Sequence, residues 1–214
     1  MARMMKAEDE AEKHEQDEAP EEAPRKRASR KGRAGEAAAN GADPLLAKLE
    51  RAESLAADGS HGDAAELFAA VATAQPDNLR ALAGLGASLF AQGKYDAAEK
   101  ELKRAQKLAP DSVEVHYQLG NTLYKKGVYA AAVTALRRAT ELDPEHGAAF
   151  LVLGEALNQM ADSDAALEAL EEAVRLAPEN TKAYYAMGIA YDRKGNHDRA
   201  AEMYRLSREV AKTG

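Results

Sequence analysis

Five histidines, His14, His61, His116, His146 and His197, are the residues of this 214-residue chain best suited to general acid–base work or metal ligation near neutral pH. No two of them stand at a helical ligand spacing, and no His-Glu-x-x-His occurs. The chain has no Cys, which removes thiolate metal sites, a disulfide framework and a cysteine nucleophile, and suits a reducing compartment. There is no Gly-rich phosphate loop ending in Lys-Ser/Thr and no nucleophile elbow. Gly84-Leu85-Gly86 matches half of a dinucleotide fingerprint, but it falls inside a helical pattern and lacks the third Gly. Glu168, Glu171 and Glu172 fit the solvated face of an outer helix better than the paired acids of glycoside chemistry. The expectation is therefore no catalytic residue, no metal site, no cofactor and no small-molecule substrate.

The elements that would carry these residues follow a period. Pro76, Pro110, Pro144 and Pro178 stand 34 residues apart, as do Gly86, Gly120, Gly154 and Gly188, and Ala64, Ala98, Ala132, Ala166 and Ala200. Three columns at one spacing mark a helix–turn–helix solenoid repeat. The segments are 45–78, 79–112, 113–146, 147–180 and 181–214. Within the second, Leu79 to Gln92 and Tyr95 to Leu108 each carry apolar residues near the 3.6-residue period, with Gly93 between them and Pro110 after them. The Gly and Ala columns mark helix crossings too close for a larger side chain. Four histidines fall in columns. His116 shares one with Leu82, Phe150 and Tyr184; His61 and His197 share one with Tyr95 and Tyr129; His146 lies in a turn with Asn78, Ser112 and Asn180. Packing and turn formation explain them without chemistry.

Residues 1–44 differ from the rest, lacking any Leu, Ile, Val, Phe or Tyr, and are predicted to be a disordered tail. Glu8 to Glu22 holds nine acids and one base; Arg25, Lys26, Arg27, Arg30, Lys31 and Arg33 then put six bases in nine residues. That basic block is a candidate for weak, salt-sensitive contact with nucleic acid or anionic membrane, although a net charge of −7 disfavours such attraction for the whole chain. No apolar run is long enough to span a bilayer and the first ten residues are charged, so a soluble, cytoplasmic protein is expected.

Over residues 45–214 the chain resembles the tetratricopeptide-repeat family. The pattern is carried by His116, Leu119, Gly120, Leu123, Ala132, Leu136, Ala139 and Pro144, and again by Phe150, Leu153, Gly154, Leu157, Ala166, Leu170, Ala173 and Pro178. The resemblance implies an all-α fold, a right-handed α-solenoid of five helix–turn–helix repeats, and a noncatalytic role in binding other proteins. Three departures stand out. The first repeat has Lys48, Arg51 and Ala52 where its sisters are apolar or Gly, which reads as a polar cap. The fifth has Ser207 and Lys212 in place of the small apolar residue and Pro, with no capping helix after it, leaving Met203, Leu206 and Val210 partly covered. In the fourth, Met160-Ala161-Asp162-Ser163 replaces the Gly-containing turn, predicting an irregular corner.

Phe90, Tyr117, Tyr124 and Tyr185 fall outside the columns that the repeat uses for packing. Tyr117, Asn121 and Tyr124 form a stripe offset by about 100° from the core stripe of their helix. The resemblance implies that this second stripe lines a concave groove that takes a peptide or helix. Arg80, Phe90, Lys125, Glu155, Asn158, Lys182 and Tyr185 join it from this and neighbouring repeats. A clamp for terminal carboxylates is poorly matched, since the first repeat offers Leu49 and Glu53 instead of Lys and Asn. The leading expectation is an adaptor or scaffold that binds a partner segment. Self-assembly through the terminal repeats and electrostatic contact through the tail are the alternatives.

Overall fold

The computed structural model describes residues 43–213, and all of their regular structure is helical. The helices come in pairs: α1 Pro44–Ala57 with α2 His61–Ala74, α3 Leu79–Ala91 with α4 Tyr95–Leu108, α5 Val113–Lys125 with α6 Tyr129–Leu142, α7 Gly147–Gln159 with α8 Ser163–Leu176, and α9 Thr181–Arg193 with α10 His197–Thr213. The predicted disordered tail and its two charge blocks lie outside the described residues.

Local chemistry starts each first helix. Asn78 accepts from Ala81 N, Ser112 from Val115 N, His146 from Ala149 N and Asn180 from Lys182 N. Each bond satisfies one of the N–H groups that the first turn leaves unpaired. The turn inside each pair needs a left-handed residue, supplied by Gly59, Gly93, Gly127 and Gly195 with φ between 73° and 80°. The fourth turn keeps the same conformation with Ala161 at φ 60°, so the corner predicted to be irregular is strained rather than rebuilt.

Among the described residues, each helix touches only helices one or two places away in the chain. First helices also touch one another, α1 to α3, α3 to α5, α5 to α7 and α7 to α9, whereas second helices do not. First helices therefore line the inner curve of the solenoid and second helices its outer curve.

The core runs along the stack instead of forming a centre. Ala64, Ala98, Ala132 and Ala166 are fully buried, as are Ala105, Ala139 and Ala173, with Leu102, Leu136 and Leu170 between them. At the Gly column an added Cβ would come within 2.6 Å of Leu102 at Gly86 and 2.5 Å of Leu136 at Gly120. Gly154 and Gly188 lie as tightly against Leu170 and Tyr204. The first repeat tolerates Ala52 in this column, and the ring of its Phe68 lies against Gly84 of α3. That contact explains Gly84, which the sequence offered only as a fragment of a nucleotide motif. In the first helix Leu49 and Ala52 are buried while Lys48 and Arg51 are exposed, as a polar cap requires. In the last helix Met203 is buried and Leu206 and Val210 are half-buried.

Candidate protein-interaction groove

The inner face of α5, α7 and α9 brings five of the ten stripe residues together around one cavity, and Arg80, Phe90, Tyr117, Asn121 and Lys125 fall outside its lining. A cavity of about 430 Å³ opens there, lined by Tyr124, Glu155, Asn158, Lys182, Tyr185 and Ile189 among others. Glu155, half-buried, is part of its wall. Burial pushes the Glu155 carboxyl above the usual carboxylate range, against the opposing pull of Lys125 and Lys182 and of the Tyr124 hydroxyl. The same burial raises Tyr117 and Tyr124, with Glu114 next in effect at Tyr117 and Glu155 next at Tyr124. The groove is thus an apolar, aromatic surface that includes one half-buried acid, with cations beside it. Lys125 lies 5.3 Å from the centre of the Tyr124 ring, and Lys182 is exposed.

The four rings read as free of packing duties each have a ring partner. Phe90 meets Tyr95 at 5.5 Å, Tyr117 meets His146 at 4.7 Å, Tyr124 meets Tyr129 at 6.0 Å and Tyr185 meets Tyr204 at 5.4 Å between centroids. Phe90, Tyr117 and Tyr124 also pack against the core. Tyr185 is the open one, at 57% exposure. The 90–95 and 124–129 pairs span the same five residues, because a ring at the end of a first helix reaches over the turn to the start of the second.

The remaining stripe residues separate by what already holds them. Arg80 gives Glu53 of α1 a bidentate pair, with both Nη2 contacts at 2.8 Å, so its charge is already matched along the inner face. Asn158 is 3% exposed and donates Nδ2 to the Ala186 carbonyl at 2.9 Å, tying α7 to α9. Turning the amide over would set two acceptors against each other, so Oδ1 is the atom left without a partner in the described residues. Asn121 is half-buried, and its side chain makes no hydrogen bond among the described residues.

Three histidines of the described residues have partners for their side chains within the fold. His116 is 6% exposed, with Nε2 2.7 Å from the Pro110 carbonyl and Nδ1 3.3 Å from Gln106 Nε2. A carbonyl can only accept, so Nε2 carries the proton and Nδ1 accepts from the amide. His146 caps α7 and stacks on Tyr117, and His197 Nδ1 lies 3.1 Å from Asp192. His14 and the six tail bases Arg25 to Arg33 lie outside the described residues. Among the described residues no three His, Asp or Glu side chains are grouped to hold a metal, and no helix is long and apolar enough to cross a membrane.

Known families match the same helices. A TPR-repeat model covers residues 86–127, and a tetratricopeptide-repeat model covers 117–159 and 159–211, so the matches together span more than half of the chain. The chain belongs to the tetratricopeptide-repeat family. Its all-α repeat architecture is also that of several solved structures. One crystal structure of MamA is 28% identical over 76% of this chain and 95% of that one, with a TM-score of 0.70. A second crystal structure of MamA is 27% identical over 78% and 92%, with a TM-score of 0.71. MamA from residue 41 to the end, from Desulfovibrio magneticus RS-1, superposes with a TM-score of 0.74 over 80% and 97% at 24% identity, which speaks to fold alone. A search of the curated protein sequences finds no match.

In this tetratricopeptide-repeat protein the groove also has contributors that the stripe did not name. Arg193 and Gln159 line the cavity, at the column that Lys125 occupies in its own repeat. Gln159 lies one turn beyond Glu155 and Arg193 one turn beyond Ile189, and the step from Tyr124 to Lys125, repeated 34 and 68 residues later, leads to both.

Proposed function

We propose that this tetratricopeptide-repeat protein is a noncatalytic interaction scaffold whose inner face, between α5 and α9, binds an extended segment or helix of another protein. The observation that carries the reading is the cavity of about 430 Å³ that gathers Tyr124, Glu155, Asn158, Lys182 and Tyr185 from three successive first helices. Its size falls in the range of sites that enclose a side chain or small ligand, and its lining is mainly apolar with a few convergent polar groups. Tyr185 supplies large contact area with few rotors to order on binding. Lys182 makes no ion pair among the described residues, in contrast to Arg80, so it is free to meet an acidic partner group.

Affinity capture compares wild type with a Lys182→Glu, Tyr185→Ser double variant and with Arg137→Glu on the outer face. Both inner-face side chains are exposed, so the fold should hold. Partner recovery should fall in the double variant and persist in Arg137→Glu. Equal recovery from all three would remove the inner-face assignment.

A further inference from the structure

The column that ends each first helix changes character along the stack. It holds Phe90 in α3 and Tyr124 in α5, whose rings lean on Tyr95 and Tyr129, but Asn158 in α7, followed five residues later by Ser163. The aromatic pair of the second and third repeats is thus replaced in the fourth by two small polar residues. The inner-face cavity opens at this interruption, with Tyr124 and Asn158 both in its wall. On its other side stands Tyr185, the most exposed of the large apolar side chains among the described residues.

Two acceptors sit there. Asn158 Oδ1 is buried with no partner, because Nδ2 is committed to the Ala186 carbonyl. Glu155, half-buried, presents the nearest carboxylate. An unpaired buried acceptor is costly, and a donor arriving with a ligand would recover that cost. The rim has the opposite sign. Lys182 and Arg193 are exposed and make no ion pair among the described residues, while Lys125 lies on the Tyr124 ring.

We propose that this cavity takes one aromatic side chain bearing a hydrogen-bond donor, tyrosine or tryptophan, from an acidic segment of the partner. The incoming ring fills the space beside Asn158, where the two preceding repeats have Phe90 and Tyr124, and meets Tyr185 on the other side. Its O–H or N–H donates to Glu155, the carboxylate in the cavity wall. Neighbouring acids on the segment meet Lys182 and Arg193. The proposal rests on the inner-face reading and narrows it to one anchor chemistry.

The chain contains no Trp, so a tryptophan on a peptide is the sole indole signal in the mixture. Peptides Ac-Glu-Glu-Trp-Glu-Glu-NH2, its Trp→Leu counterpart and a version with Lys replacing every Glu are titrated with the full chain. The Trp peptide is followed by its blue shift, and all three are followed by calorimetry. The acidic Trp peptide should bind about tenfold tighter than either other peptide, in line with the worth of a stacked ring and one hydrogen bond. Asn158→Tyr, which restores a ring of the kind Tyr124 provides, and Tyr185→Ser should each weaken it about tenfold or more. Because Tyr185 is mostly exposed, its variant tests the anchor even if Asn158→Tyr folds poorly. Equal binding of the Trp and Leu peptides, no binding by any peptide at millimolar concentration, or no response to Tyr185→Ser would overturn the anchor. The inner-face reading stands or falls separately, on partner recovery by the Lys182→Glu, Tyr185→Ser variant.

Discussion

Gly120 and Leu136 share one position in space where α5 crosses α6. A Cβ on Gly120 would stand 2.5 Å from Leu136 Cγ and 3.3 Å from the Leu136 backbone nitrogen. Gly120→Ala gains helix propensity of about 1 kcal/mol but forces the Leu136 side chain aside, an overpacking cost of about 1 to 3 kcal/mol. A net loss of about 1 kcal/mol is expected in urea melts. In a Leu136→Ala background the same change should be near neutral, giving a coupling of about 1 kcal/mol or more. Additive single and double variants would contradict the shared position.

Ala161 occupies the left-handed corner that glycine fills in the other four repeats. The Cβ clash there costs about 1 to 2 kcal/mol, partly offset by the larger unfolded-state entropy of glycine. Ala161→Gly should stabilise the fold by about 0.5 to 1 kcal/mol, seen as a Tm rise of about 1 to 4 °C. A fall in Tm would mean that the neighbouring Met160 and Ser163 contacts depend on the strained turn.

Much of this fold is legible in the sequence. The Pro, Gly and Ala columns located the helices because the turn, the crossing and the cap recur at fixed offsets, and His146 takes the capping role of Asn78, Ser112 and Asn180. The ring partners were less visible. Tyr117 meets His146 in the following interrepeat turn, a contact set by how repeats stack, and Asn158 reaches a carbonyl 28 residues away. Such contacts depend on the rise and curvature of the stack, which periodicity alone does not specify.

The stripe Tyr117, Asn121 and Tyr124 therefore carries two duties. Replacing all three by Ala removes rings that pack on His146, Tyr129 and the core, and should lower stability by about 3 kcal/mol. Asn121→Ala alone should change stability by less than about 0.5 kcal/mol, since its side chain has no hydrogen bond among the described residues. Chemical denaturation of both variants checks this. A large loss from Asn121→Ala would show that it has a partner in the fold.

Glu155 makes the groove pH-dependent. Its carboxyl is held above the usual range chiefly by burial. A carboxyl with a higher pKa folded than unfolded stabilises the fold while protonated, below its unfolded value of about 4.3, and that contribution is lost as pH rises through the folded value. Glu155→Gln should match wild type near pH 4 and exceed it in stability at pH 7. A variant less stable than wild type at pH 7 would mean that Lys125 and Lys182 outweigh the burial.

The most direct test of the inner face as the binding surface is hydroxyl-radical footprinting of the protein alone and with its captured partner. Tyr185, at 57% exposure on the inner face, and Met160, at 47% at the turn between α7 and α8, both oxidise readily in the free protein. With partner bound, Tyr185 is expected to be protected severalfold while Met160 oxidises as before. Undiminished oxidation of Tyr185 in a saturated complex would contradict binding on this face.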